Sequence, residues 1–501
     1  MHRVRVWRPW LAALCLPVAL PAAAPPAAAP VDETALTLYS SARPGTVQPE
    51  LWANGAQGVP VPGFAVVRQE RSLRIEAGRS QLRFTDVAAL IDPTTVTFSV
   101  PDEPGTRVLE QNFQFDLVST AKLLTRYVDR PVTLERPGGA TVSGTLLSAA
   151  DGLVVRSADG SITAVRDYSA LRFAELPGGL ITRPTLVWDL NAARGGTQRA
   201  RVTYQTGGLT WWADYNLLLT PGADANTGFV DLTAWVSILN QSGASFTDAR
   251  LKLVAGEVNR VAPQPAMPRL AMAMAAPQAD EGFTERSFDE YHLYSLGRRT
   301  TLPANSTKQM ELFDAVRRVP VQRQYLFQAT PGEAPDTAPR VEREYGATTR
   351  AKVQSRLLLR NAAAGGLGLP LPAGRVRVSR LDTDGSLEFI GEDIIDHTPR
   401  DETLQLRLGS AFDITGERRQ TGFVLDTRGR WIEEQIEVQL RNHKREPVEV
   451  QVREVLYRTA TAKLLSSSQA PQQSDACTLV FPVKVPGDGT GTVRYTVRYS
   501  W

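Results

Sequence analysis

The chain is poor in the residues that most often carry chemistry. Its 501 residues include two cysteines and four histidines. Cys15 falls inside an N-terminal apolar stretch, so once that stretch is removed only Cys477 remains and no intramolecular disulfide can form. A large exported protein folds without one because its core is big enough. Nucleophile elbows of the Gly-x-Ser-x-Gly kind, phosphate-binding loops and dinucleotide glycine fingerprints are missing from the sequence. Beyond the N-terminus no apolar run is long enough for a membrane helix. Aromatics make up 7% of the residues, which is few for the interfacial girdles of an outer-membrane barrel. Excess charge is lacking too. Without Arg3, Arg5 and Arg8 the 56 basic residues fall to 53, matching the 53 acidic ones, so nothing favours a nucleic-acid partner.

The N-terminus reads as a secretory signal over residues 1–29. Three arginines precede the short apolar run "WLAALCLPVAL", and the alanine-rich "PAAAPPAAAP" supplies small residues for cleavage between Ala22 and Pro30. From there the dominant period is two. In "QLRFTDVAALIDPTTVTFSV" (81–100), Leu82 and Phe84 alternate with polar residues, a turn is expected at Asp92-Pro93, and Val96, Phe98 and Val100 share the next face. Residues 31–115 are therefore expected to form an N-terminal β domain. One helix is expected over 116–130, where Leu117, Val118, Ala121, Leu124 and Val128 recur at three- and four-residue steps before Pro131. Pro-Gly-Gly and two Asp-Gly pairs then punctuate a small barrel-like module of four or five strands over 131–176. A larger β region runs over 180–501. It is interrupted by an Ala-, Pro- and Met-rich insertion at 261–290, expected to be mobile, and by "TPGEAPDTAP" at 330–339. The expected class is mainly β: antiparallel sandwich-type domains, one small barrel-like module and a single connecting helix.

The stretch "YQTGGLTWWADYN" (204–216) concentrates aromatics around Gly207-Gly208. Val202 and Tyr204 before the glycines, and Leu209, Trp211, Ala213, Tyr215, Leu217 and Leu219 after them, read as a hairpin with one buried face. Trp212 points the other way with Asp214 and Asn216. It is a candidate ligand platform, although a second packing layer is the commoner use of such a residue.

From this stretch onward the sequence resembles the family called domain of unknown function 4139, whose members include relatives of bacterial mucoidy inhibitor proteins. Further blocks carry the resemblance: "VSILNQSGASFTDARLKLVAGEVN" (236–259), "LYSLGRRTTLPANSTKQMELF" (293–313), the segment 371–421 containing "LDTDGSLEFIGEDIIDHTPRDE", and "VQLRNHKREPVEVQVREVL" (438–456). Together they cover most of 180–501. The resemblance implies β-sandwich-type domains and a place in the bacterial envelope; it implies no activity and no catalytic residues. The module at 131–176 stands where longer relatives carry coiled coil, so the mucoidy phenotype is not carried over.

The densest acidic cluster is "GEDIIDHTPRDE", with Glu392, Asp393, Asp396, His397, Asp401 and Glu402. A metal site or an acid/base pair would draw on His397 with Asp396 or Glu392, but the spacing matches no established ligand motif, and a solvated strand end is the plainer reading. On a strand, Asp393 and His397 share one face and Glu392 and Asp396 the other. "DTDGS" (382–386) starts like a calcium loop without the remaining ligands and reads as an Asp-Gly hairpin. "NHKRE" (442–446) reads as a polar turn, and Cys477 as a buried inert thiol in an apolar strand. The closing "TVRYTVRYSW" alternates Val493, Tyr495, Val497, Tyr499 and Trp501 against polar residues. That suits the last strand of a sandwich or the closing strand of an outer-membrane barrel. No cofactor or metal is expected. The functional expectation is a periplasmic or surface-associated Gram-negative protein that binds an envelope protein or polysaccharide. The alternatives are a hydrolase built near Glu392, Asp396 and His397, and the outer-membrane barrel.

Overall fold

The computed structural model describes residues 32–40, 61–256, 283–288, 291–330, 335 and 338–501. The expected signal segment lies outside them, as does most of the expected insertion and the middle of 330–339. The last part of the insertion is a strand, Phe283–Phe288, paired antiparallel with Tyr291–Leu296.

The fold is mainly β, with several largely antiparallel sheets. An eight-stranded sheet interleaves early and later sequence: Glu33–Tyr39, Phe64–Ile75 and Ile91–Ser99 lie among Gly196–Thr206, Phe246–Ala255 and Tyr291–Leu296. Thr185–Ala192 likewise pairs with both Gly78–Thr85 and Arg107–Gln114. Strands before residue 115 and after residue 180 thus share sheets. Asp92-Pro93 is not a turn but sits within Ile91–Ser99, where Asp92 accepts hydrogen bonds from Thr94 and the register to Gly196–Thr206 shifts. The chain turns earlier, between Thr85 and Ile91, bending at Asp86, whose φ is 63°, and turning at Ala89-Leu90.

The segment 131–176 forms five strands in one open sheet and not a closed barrel. Four run as a meander and the fifth, Ala170–Phe173, returns to pair with the first, Pro131–Glu135, with turns at Gly138-Gly139, Gly152 and Gly160 taking the positive φ the Asp-Gly and Gly-Gly signals called for. The helix is shorter than its periodicity suggests, only Thr120–Arg126, capped by the Ser119 side chain, and no residue within it is buried. Tyr127 ends it and anchors it instead: this side chain is buried in the module's core and its hydroxyl bonds to Glu175. Asp129 then turns left-handed at φ 64°, stopping the helix before Pro131.

Gly207-Gly208 is not a hairpin. Gly196–Thr206 pairs within the eight-stranded sheet, whereas Leu209–Pro221 pairs with Thr227–Asn240 and Gly374–Leu381 in a thirteen-stranded sheet. The glycines form a corner between sheets. A side chain at Gly208, whose φ is 77°, would meet the Gln241 carbonyl at 2.8 Å. The alternation was right and the partner wrong, because Tyr204 and Trp211 enter one core from facing sheets just as well as from neighbouring strands.

That first core is shared with part of three strands that continue into a second core. Ser306–Phe327 places Val319 and Val321 in the first and Tyr325 and Phe327 in the second. Thr348–Arg360 and Thr403–Asp426 divide the same way, with Leu357, Leu359, Leu404 and Leu406 in the first and Val353 and Ile414 in the second. The C-terminal strand, Gly489–Ser500, lies between Trp431–Asn442 and Ala462–Ser467. Its Val493, Tyr495, Val497 and Tyr499 fill the second core, and no sheet closes on itself among the described residues. The alternation that suited a membrane barrel faces protein, so the barrel reading is set aside.

The second core holds charge. Arg418 and Glu454 pair at 2.8 Å, as do Arg458 and Glu434, and all four side chains are 0% exposed. Tyr495 donates to Glu454 at 2.6 Å, and Tyr457 to Glu434 at 3.2 Å. Other donors of the arginines hold the segment before Thr348 by its carbonyls: Arg458 bonds those of Arg340, Glu342 and Tyr345, and Arg418 that of Gly346. Burial, with Glu434 second, pushes the Tyr457 hydroxyl up to about 12. Burial also raises Tyr495 and Tyr499 well above the ordinary tyrosine value.

Two outcomes follow from this buried charge. Glu454→Ala leaves Arg418 buried without its counter-ion and is expected to cost about 3–5 kcal/mol in urea unfolding. A loss below about 1 kcal/mol would mean the pair behaves as a solvated one. The tyrosines bind their protons more tightly folded than unfolded. Their contribution is therefore complete below pH 10, the unfolded value, and is lost as pH rises towards about 12 and beyond. Unfolding free energy followed by circular dichroism should fall across that window, and less steeply in Tyr457→Phe.

Candidate functional site

Trp212 is 6% exposed, and its indole Nε1 donates to Asp214 Oδ2 at 2.9 Å. Asp214 is itself buried. Arg375 and Arg377, on the parallel neighbour Gly374–Leu381, approach its Oδ1 at 3.5 and 3.4 Å, and Ser237 approaches Oδ2 at 3.5 Å. The outward side of Leu209–Pro221 is thus a second packed layer, polar and interlocked, rather than an open aromatic platform.

The acidic stretch is divided among separate tasks. Glu392 is half exposed and faces Arg377 at 3.8 Å. Asp393 accepts from the Arg407 amide at 2.6 Å, tying the edge strand Leu387–Ile395 to Thr403–Asp426. His397 accepts from the Ala373 amide through Nδ1 at 3.0 Å. Asp396, His397 and Glu402 line a shallow recess of about 360 Å³; Glu392 and Asp393 do not. No group of three potential metal ligands converges among the described residues. Asp382 to Ser386 form the tight turn of the hairpin, closed by the Asp382 amide on the Ser386 carbonyl, with Gly385 at φ 86°. Cys477 lies not in a strand but in the turn before Thr478–Val485. It is half-buried, and its amide bonds Asp475.

A larger recess lies elsewhere. Along one edge, Ser306–Phe327 pairs antiparallel with Thr227–Asn240 as far as Gln322, then parallel with Val448–Val455 from Tyr325. Between those partners two turns meet: 222–226 on one side and 443–447 on the other. The Arg323 amide reaches across to the Asn226 carbonyl. The gap opens a cleft of about 600 Å³, within the range of small-ligand sites. Leu219, Val321 and Leu357 give its floor an apolar part. A second recess of about 280 Å³ adjoins it along Ser355, Ile390 and the bulged stretch at Gly409.

Both recesses share Arg323, Tyr325, Arg380 and Lys444. Lys444 Nζ donates to the Tyr325 hydroxyl at 3.0 Å and lies 5.0 Å from the ring centre. Arg323 and Arg380 have no carboxylate within ion-pair distance among the described residues. Of the two acids in the larger recess, Asp224 is engaged in its own turn, where Oδ1 accepts from the Asn226 amide at 2.9 Å and the Thr227 hydroxyl at 3.0 Å. Glu446 is exposed, and neither acid lines the smaller recess.

Sequence reading had Lys444 in view only as part of a polar turn, and it passed over Arg323. The signal was present. In "VPVQRQYLF" the positions Val319, Val321, Arg323, Tyr325 and Phe327 share one face, and a cation occupies the middle of an otherwise apolar register.

Because Trp212 supports a buried carboxylate, Trp212→Phe is expected to lower stability by about 1–2 kcal/mol in urea unfolding. Its tryptophan emission change should be insensitive to any ligand taken up in the cleft. A Trp212→Phe protein of full stability would contradict the packed reading. No protein-family model, curated protein or solved structure matches this chain.

Proposed function

We infer that this chain is an exported, envelope-associated β protein of the kind grouped as domain of unknown function 4139, and that it acts by binding a protein or glycan partner. The observation that carries the reading is the cleft at the strand-partner exchange. There, backbone turns, an apolar floor and two arginines that have no carboxylate partner among the described residues face one space. Sites assembled by turns on a rigid sheet scaffold are where binding residues concentrate. Export rests on the N-terminal arginines, apolar run and alanine-rich stretch.

Two measurements test it. In a Gram-negative host the protein is expected in the envelope fraction with its N-terminus cut between Ala22 and Pro30; an intact Met1 terminus in the cytoplasm would contradict export. Native mass spectrometry of the purified protein should detect a bound species from envelope extract that Ala223→Trp, which places a bulky ring on the exposed turn of the cleft, removes. Retention of every bound species in that variant would contradict the cleft as the binding site. A hydrolytic activity abolished by His397→Ala would point instead to the shallow recess.

A further inference from the structure

We propose that the cleft recognises an oxyanion, a carboxylate or phosphate carried on a small polar molecule, with Arg323 as the central contact. The proposal rests on the binding reading above and names the ligand class of that site.

The position of Arg323 is the argument. It stands on the core-facing register of its strand, between Val321 and Tyr325, which are 4% and 2% exposed. A guanidinium stays charged in proteins, so it cannot escape the cost of partial burial by losing its proton. Charged groups at such positions ordinarily sit against a carboxylate, as Arg418 and Arg458 do one core away. Arg323 has none among the described residues and instead faces the junction of the two recesses. Arg380 reaches that junction from the end of Gly374–Leu381, whose register sets it beside Leu219. Lys444 reaches it from the opposite turn and is steadied by the Tyr325 ring and hydroxyl. Three cations from three separate elements meet where both recesses join, and no acid lines the smaller one. A guanidinium presents a planar fork of donors that fits carboxylate and phosphate oxygens in pairs. The Tyr325 hydroxyl, already accepting from Lys444, retains its proton to donate to an oxyanion.

The test compares three ligands with the same ring: glucose, glucuronate and glucose 6-phosphate, titrated into the full-length mature protein by calorimetry. One or both anionic sugars should bind at least roughly tenfold tighter than glucose, with affinity falling as salt rises. Which one binds separates carboxylate from phosphate recognition. Arg323→Gln should remove most of that preference. Arg380→Gln, at an exposed position, should weaken it without altering the circular dichroism melt, and serves if Arg323→Gln does not fold. Equal binding of all three, lost in Ala223→Trp, would overturn the oxyanion proposal and leave the binding reading standing. Anion binding unchanged in both arginine variants would also overturn it. So would no binding of any of the three, and the mass-spectrometric experiment would then judge the binding reading on its own.

Discussion

The structure depends on one strand serving two cores. Ser306–Phe327 runs 22 residues, shifts its register midway so that the buried positions pass from Met310 and Leu312 to Val319 and Val321, and must then cross a seam from the first core and satisfy the second. Thr348–Arg360 and the 24-residue Thr403–Asp426 repeat the crossing beside it. Continuous hydrogen-bonded strands are a stiffer join than a linker, because any hinge between the cores would have to break the ladder. The cleft follows from the same constraint. A strand that exchanges an antiparallel partner for a parallel one leaves a gap, and turns from each partner border it.

The charges divide accordingly. In the second core, arginine and glutamate side chains are wholly enclosed, each carboxylate accepting from both an arginine and a tyrosine, and further guanidinium donors hold the backbone of 340–346. Such pairs add little net stability over apolar packing, yet removing one partner is costly, so they fix which segment packs there. At the seam, Arg323 and Arg380 have no carboxylate partner among the described residues and face open space. One use of arginine locks the fold and the other leaves it able to interact.

Much of this was legible in the residues. Period-two alternation identified the strands, and the Asp-Gly and Gly-Gly pairs marked the turns of the 131–176 module and the 382–386 hairpin, because those turns need positive φ that few other residues adopt readily. Pairing was less legible. The Gly207-Gly208 corner and a hairpin demand the same alternation, and only long-range contacts distinguish them. The helix over 116–130 shrank to Thr120–Arg126 because, of its periodic residues, only Leu124 packs against the module's core and none is fully buried, while Tyr127, just past its end, is. The buried glutamates were illegible, since an acid on a strand reads as solvated until its partner arrives from elsewhere in the chain. The seam was readable in principle: an arginine at the third of five inward positions was an exception that asked for a reason.

The central claim is that the two cores are one cooperative unit because these strands pass through both. Native-state hydrogen exchange along Ser306–Phe327 tests it most directly, by comparing the opening free energies of the amides flanking Val319 and Val321 with those flanking Tyr325 and Phe327. The account predicts that both groups open together, with the same free energy and the same dependence on denaturant. Exchange of the Tyr325 end through a separate, lower-energy opening, with the Val319 end still protected, would contradict it.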